Sequence, residues 1–142
     1  MIQIMEFIAK NKVRMHDTDM AGILYFARQF RFAHDALEDF VESESGLSFD
    51  DVFRREKFVF VIVHCEADYF TPLTVGDILE IRLCVEKIGN SSFTLFYRIF
   101  RGETLVGTVK TVHVSLHSET REKIPVPEKL RKSLEKYLAS KT

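Results

Sequence analysis

A chain of 142 residues, 46% hydrophobic and 29% charged, has the profile of one domain able to bury a core, and residues 1–142 are read as a single unit. With 20 basic residues against 21 acidic ones the formal net charge is -1, so no global field draws the chain onto nucleic acid or an anionic membrane, and neither is expected as a partner. The start, Met1 to Glu6, lacks the basic opening and apolar run of a secretory signal, and no stretch is long enough to span a bilayer. The expected location is therefore cytoplasmic. Cys65 and Cys84 both fall in strand-like patterns, so neither a disulfide framework nor a metal site is expected, and no cofactor is implied.

The first predicted element is a strand from Glu6 to Arg14, ending in the polar cluster His16-Asp17-Thr18-Asp19. Ile23, Phe26, Ala27, Phe30, Ala33, Leu37, Phe40 and Val41 then recur at three- and four-residue steps, the stripe of one long helix that ends near Ser43 to Gly46. Leu47 to Glu56 is a charged connection in which Phe49, Val52 and Phe53 form one extra helical turn. Phe58 to Tyr69 is rich in Phe and Val without a helical period and reads as a strand, buried on both faces over its first half.

Leu79, Ile81, Leu83 and Val85 alternate with Glu80, Arg82 and Glu86, the period of a strand with one wet face. Gly89-Asn90 is a tight hairpin signal, followed by a return strand from Phe93 to Arg101. A turn at Arg101-Gly102-Glu103 leads to a last strand, Leu105 to His117. Pro125 and Pro127 stop the sheet, and Glu128 to Leu138 has the spacing of a short C-terminal helix. The order predicts an α+β fold in which an antiparallel sheet packs on one long helix. Its edge strands need blunting or a partner sheet, so a homodimer or homotetramer is expected.

The chemistry concentrates in His16-Asp17-Thr18-Asp19-Met20-Ala21-Gly22-Ile23-Leu24-Tyr25. Helix-start N–H groups lack backbone partners and the macrodipole favours negative charge, so Asp19 can remain ionised there while neighbouring N–H groups polarise a carbonyl. Gly22 permits close approach of a substrate to the backbone. On cap preference alone, Asp19 reads as an N-cap. A calcium loop lacks its later ligands.

Asp17-Thr18-Asp19-x-x-Gly22-x-x-Tyr25, a long helix and four meandering strands together resemble the 4-hydroxybenzoyl-CoA thioesterase-like hotdog family over nearly the whole chain. That resemblance implies a hotdog fold of about five strands and an acyl-CoA thioesterase in which Asp19 is the catalytic nucleophile or general base. It also implies that Gly22, Tyr25 and Phe26 contact the substrate. Tyr25-Phe26, His34-Asp35, Val63-His64, Asp68 to Leu73 and the tail Glu119 to Pro127 are similar to the 1,4-dihydroxy-2-naphthoyl-CoA thioesterase branch.

Two positions depart from relatives. Phe26 stands where related enzymes often carry a His, and Gly89-Asn90-Ser91 stands where some place arginines on CoA phosphates, which leaves Lys87 and Arg121 as candidates. His64, on the predicted face of Phe58, Phe60 and Ile62, is either a core histidine or a substrate contact; His34, at the edge of the helix stripe, reads as structural. Two other function classes stay open. One is a non-catalytic acyl-CoA or acyl-carrier-binding hotdog protein; the other is a hotdog dehydratase, which needs a His and acid pair.

Overall fold

The computed structural model describes residues 5–139, so the reading of Met1 to Ile4 lies outside them. Strands β1 (Phe7–Lys12), β2 (Phe58–Tyr69), β3 (Ile78–Ile88), β4 (Ser92–Arg101) and β5 (Thr104–His117) form one antiparallel sheet in the order β1-β3-β4-β5-β2. Helix α1 (Gln29–Ser45) lies on one face, a short α2 (Phe49–Asp51) and a wide turn (Val52–Glu56) lead into β2, and α3 (Glu128–Lys136) closes the chain. This is the hotdog arrangement expected.

The helix forms because Phe32, Ala33, Ala36, Leu37, Phe40 and Val41 share one face, buried against Ile81, Leu83, Leu95 and Ile99 of the sheet. Each large side chain there contributes about 1.5–3 kcal/mol of transfer energy. Gly46, at φ +66°, ends α1 in the left-handed conformation that costs other residues most. Phe7, Phe40 and Tyr137 meet edge to face at 5.3–6.2 Å, tying β1, α1 and the end of α3 together.

The structure corrects three expectations. After a separate helical turn at Met15–Asp17, the long helical run begins only at Phe26, in a tight turn (Phe26–Arg28) that leads into α1, and Ile23 is not on the helix. Gly22 takes φ +81° and turns the chain back, so Ile23 and Leu24 bridge to Thr74 and Thr18, and the Leu24 N–H donates to the Leu73 carbonyl at 2.8 Å. Sheet-like partners thus outcompete the helical period at its first predicted turn.

Strand β2 is not buried on both faces over its first half. Only Phe58 and Val59 are buried, whereas Val61, Ile62 and Val63 are exposed, because β2 is an edge strand paired only with β5. Its register also slips: Ile62 stands opposite His113, but His64 stands opposite Val112. The extra residue, Val63, makes a bulge that moves His64 to the opposite sheet face from Phe58, Phe60 and Ile62.

Candidate active site

Asp17 and Asp19 are two residues apart and in opposite environments. Asp17 is fully buried; its carboxylate accepts from Arg31 Nε at 2.9 Å, Arg31 Nη2 at 2.6 Å and the Arg14 N–H at 2.8 Å. Its carbonyl accepts from the Tyr25 N–H at 2.8 Å, so this one residue closes both ends of the loop. Burial alone would raise the Asp17 carboxyl, but the Arg31 and Arg14 hydrogen bonds and the Arg31 charge together hold it below its usual range. Arg31 is raised in turn, chiefly by its bonds to Asp17, and also reaches Asp35 at 2.9 Å.

Asp19 sits on the exposed crest of that loop. Its Oδ1 accepts from the Ala21 N–H at 2.8 Å, its N–H donates to the Ile23 carbonyl at 3.0 Å, and the Gly22 N–H donates to its carbonyl at 3.0 Å. It does not cap the long helix: the residue ahead of the helical run that enters α1 is Tyr25. A side-chain oxygen held by one local N–H on a pinned loop leaves the other free to meet a reactant.

Gly22, Tyr25 and Phe26 lie on the same loop and its exit. The rings of Tyr25 and Phe26, both exposed, stand 4.9 Å apart, and the Tyr69 hydroxyl donates to the Phe26 carbonyl at 2.7 Å. The first N–H groups of the helical run, at Phe26 and Ala27, precede any carbonyl able to take them within the run. A cavity of about 270 Å³ lies alongside, between Ile23, Leu24, Phe26, Tyr69 and Phe70.

His64 is not brought to this loop. It lies on the outer sheet face with Glu66, 3.7 Å away, and shares a depression with Lys87, Thr94 and Lys110. Lys87 is therefore its neighbour, whereas Arg121 sits in the turn after β5 at φ +65°. His34 is exposed on α1 and borders a separate cavity between helix and sheet. Of the two histidine–acid pairs among the described residues, His16 is 3.6 Å from Asp17, which Arg31 already occupies, and His64 is 3.7 Å from Glu66 on the outer sheet face, away from the loop. Among the described residues no cluster of His, Cys, Asp and Glu could hold a metal, and no helix is long and apolar enough to cross a membrane.

Sequence reasoning missed three groups. Arg31 lies off the apolar stripe and carries no periodic signal, although an arginine in a helix just after an Asp-x-Asp loop is a ready partner for one of the acids. Gln29, buried, donates from Nε2 to the carbonyls of Asp68 and Thr108 at 2.9 and 3.1 Å and pins the start of α1 to β2 and β5. Thr111, His113 and Ser115 turn inward on β5, and their alternation with Val112, Val114 and Leu116 was the available signal.

The chain matches the Thioesterase-like superfamily over residues 13–134. It is 36% identical over 126 residues to a 1,4-dihydroxy-2-naphthoyl-CoA hydrolase of Prochlorococcus marinus, covering 83% of each chain. It is 37% identical over 120 residues to the protein of that name from Synechococcus elongatus, covering 84% of this chain and 88% of that one. Among solved structures, a 1,4-dihydroxy-2-naphthoyl-CoA thioesterase from Synechocystis superposes with a TM-score of 0.83 at 28% identity, over 91% of this chain and 95% of the other.

Proposed function

Since the chain belongs to the thioesterase-like superfamily and is an acyl-CoA thioesterase, we propose that it hydrolyses an aromatic acyl-CoA of the 1,4-dihydroxy-2-naphthoyl-CoA type, with Asp19 as the reacting carboxylate. The observation that carries this reading is the contrast between the two loop acids: Asp17 is consumed by Arg31, while Asp19 is exposed on a loop that this pair holds still. Loop rigidity matters because a nucleophile or base acts only when held within hydrogen-bond reach of its target.

In this mechanism the thioester carbonyl lies against the Phe26 and Ala27 N–H groups, which stabilise the oxyanion as it develops. Asp19 either attacks the carbonyl carbon, expelling CoA thiolate and leaving a mixed anhydride that water opens, or takes a proton from the water that attacks. Gly22 gives the substrate room at the loop, and Tyr25 and Phe26 supply aromatic surface to the acyl group. His64 joins the substrate contacts from the outer face, beside Lys87 and Lys110, where their charges suit the CoA phosphates.

The whole chain acts as one domain in the cytoplasm, as a homodimer or a tetramer of two such dimers. The exposed apolar edge of β2, with Val61, Ile62 and Val63, supports two-fold antiparallel pairing with a second copy. Pairing about the middle of β2 lays the Tyr69 end of one protomer, which touches Phe26, beside the opposite end of its partner's strand.

The test follows thiol release by wild type and Asp19→Asn from 1,4-dihydroxy-2-naphthoyl-, 4-hydroxybenzoyl-, benzoyl- and straight-chain acyl-CoAs. Asp19→Asn is expected to lose roughly two to three orders of magnitude in kcat on the aromatic thioesters while keeping its fold. Equal activity of the two proteins overturns the role of Asp19, and acyl-CoA binding without thiol release by wild type makes the chain a binding module. In single turnover in heavy-oxygen water, label entering Asp19 marks the nucleophilic route, with water opening the anhydride at the Asp19 carbonyl.

A further inference from the structure

Strand β5 lies under α1, yet its inward face carries Thr111, His113 and Ser115, all buried. Pairing fixes that orientation: Thr111 and His113 stand opposite the core residues Leu95 and Phe93 of β4. The His113 ring stacks on Phe93 at 4.9 Å and 11° and meets Phe60 edge-on at 5.7 Å. Its Nε2 is 2.8 Å from Thr111 Oγ1, which is 3.2 Å from the Tyr97 hydroxyl, so the three side chains form one hydrogen-bonded chain. His113 Nδ1 and Ser115 Oγ are buried without a partner among the described residues.

Such a chain is costly inside a core, because polar atoms left unpaired lose their water without compensation. Nothing in packing requires it, since leucine or valine would fill an inward position of β5 at no such cost. Tyr97, Thr111 and His113 border a cavity of about 280 Å³ whose other walls are Phe30 and His34 of α1 and Ile62 and Cys65 of the exposed edge strand. Arg31 also borders it, with its guanidinium committed to Asp17 and Asp35. The volume sits at the small end of ligand pockets and suits one or two fused rings rather than a long acyl chain.

Burial and the nearby His34 lower the His113 pKa to about 4, so at neutral pH the imidazole is neutral. Burial likewise raises the Tyr97 hydroxyl against the pull of its Thr111 bond, and it too stays neutral. A floor of neutral donors and acceptors reads a neutral hydroxyl and offers no charge to a carboxylate or phosphate.

We infer that Tyr97, Thr111 and His113 form the floor of the acyl pocket and select, among aromatic acyl-CoAs, those that carry a ring hydroxyl. This rests on the proposed reading that an aromatic thioester is the substrate. In the two-fold arrangement the Tyr69 end of one protomer's β2, beside its loop, runs along the Phe58 half of its partner's strand toward the mid-strand residues Ile62 and Cys65 that border the partner's cavity, so the acyl ring occupies the cavity of one copy while Asp19 of the other meets the thioester.

The experiment compares kcat/KM for 1-hydroxy-2-naphthoyl-CoA and 2-naphthoyl-CoA in wild type, Tyr97→Phe and Thr111→Val. Wild type is expected to favour the hydroxylated substrate by roughly ten- to hundredfold, the factor that one unmade hydrogen bond produces. In both variants that ratio falls toward one through loss on the hydroxylated substrate alone; a merely structural role lowers both substrates together and overturns the inference. A wild-type ratio of one also overturns it and leaves the thioesterase reading standing. If wild type hydrolyses neither, the aromatic reading fails, and calorimetry with free 1-hydroxy-2-naphthoate and 2-naphthoate decides the inference: tenfold tighter binding of the first supports it, equal binding sinks it. The wild-type substrate ratio and the calorimetry need no variant, so they decide the inference even if a variant does not fold.

Discussion

Replacing Asp17 by Asn keeps the shape of the side chain and removes its charge, which isolates what the buried pair with Arg31 does. The carboxylate accepts three hydrogen bonds, two from the guanidinium and one from the Arg14 N–H. An amide matches at most part of that set and turns its own NH2 toward a donor. Breaking a buried ion pair from one side costs about 3–5 kcal/mol, because the surviving charge is left uncompensated. Arg31 is 23% exposed and keeps Asp35 at 2.9 Å, which brings the expected loss down to or just below the lower end of that range, about 2–3 kcal/mol. For a chain of this size that lowers Tm by roughly 6–12 °C.

The assay is urea and thermal unfolding of wild type, Asp17→Asn and Asp19→Asn at one protein concentration, since the proposed dimer would make the midpoint concentration-dependent. Asp19→Asn removes only a local bond to Ala21 and is expected to shift stability by less than about 0.5 kcal/mol. Because the Asp17 pKa is lowered on folding, its stabilisation is present above the unfolded value near 3.8 and is lost as pH falls through the lower folded value. Wild type and Asp17→Asn should therefore converge in acid. An unchanged midpoint for Asp17→Asn at pH 7, or an equal loss in both variants, refutes the division between an anchoring and a reacting acid.

Three further outcomes are expected. A Cβ on Gly107 would stand 2.7 Å from Gln29 Nε2 and 2.8 Å from the Asp68 carbonyl; Gly107→Ala should lose about 1–3 kcal/mol in urea melts, with reduced kcat because Gln29 anchors the start of α1. The His113 pKa is about 4 folded against 6.5 unfolded, so its contribution is full above pH 6.5 and is lost toward pH 4. That contributes a slope of up to about 1.4 kcal/mol per pH unit, which His113→Phe should remove from the stability profile while keeping the ring stack. Val63→Lys places a charge on the open edge of β2 and should convert a sedimenting dimer to monomer with loss of activity; a wild type that is already monomeric at micromolar concentration refutes the edge pairing.

Much of the fold was legible because periodicity reports which face of an element is dry. The alternation of Leu79, Ile81, Leu83 and Val85 is borne out in β3, the Gly89-Asn90 signal marks the β3–β4 hairpin, and Phe40 and Val41 lie on the buried face of α1. The Asp-Thr-Asp-x-x-Gly-x-x-Tyr signature likewise marked the loop where the structure sets an exposed acid beside a helical start. What it concealed was the unequal fate of its two acids, because both precede the helix and only the reach of Arg31 from α1 separates them.

The sequence by itself determined the element order and the α+β class, since each depends on local period or on residues adjacent along the chain, and its resemblance to the hotdog family pointed to the loop proposed to carry the chemistry. Only the tertiary structure decided which acid is buried, which face His64 takes after the Val63 bulge, and that Thr111, His113 and Ser115 look inward rather than Val112, Val114 and Leu116. Those are questions of register and of contact between residues far apart in the chain. A single inserted residue or a neighbouring strand's alignment inverts the answer without altering the local pattern.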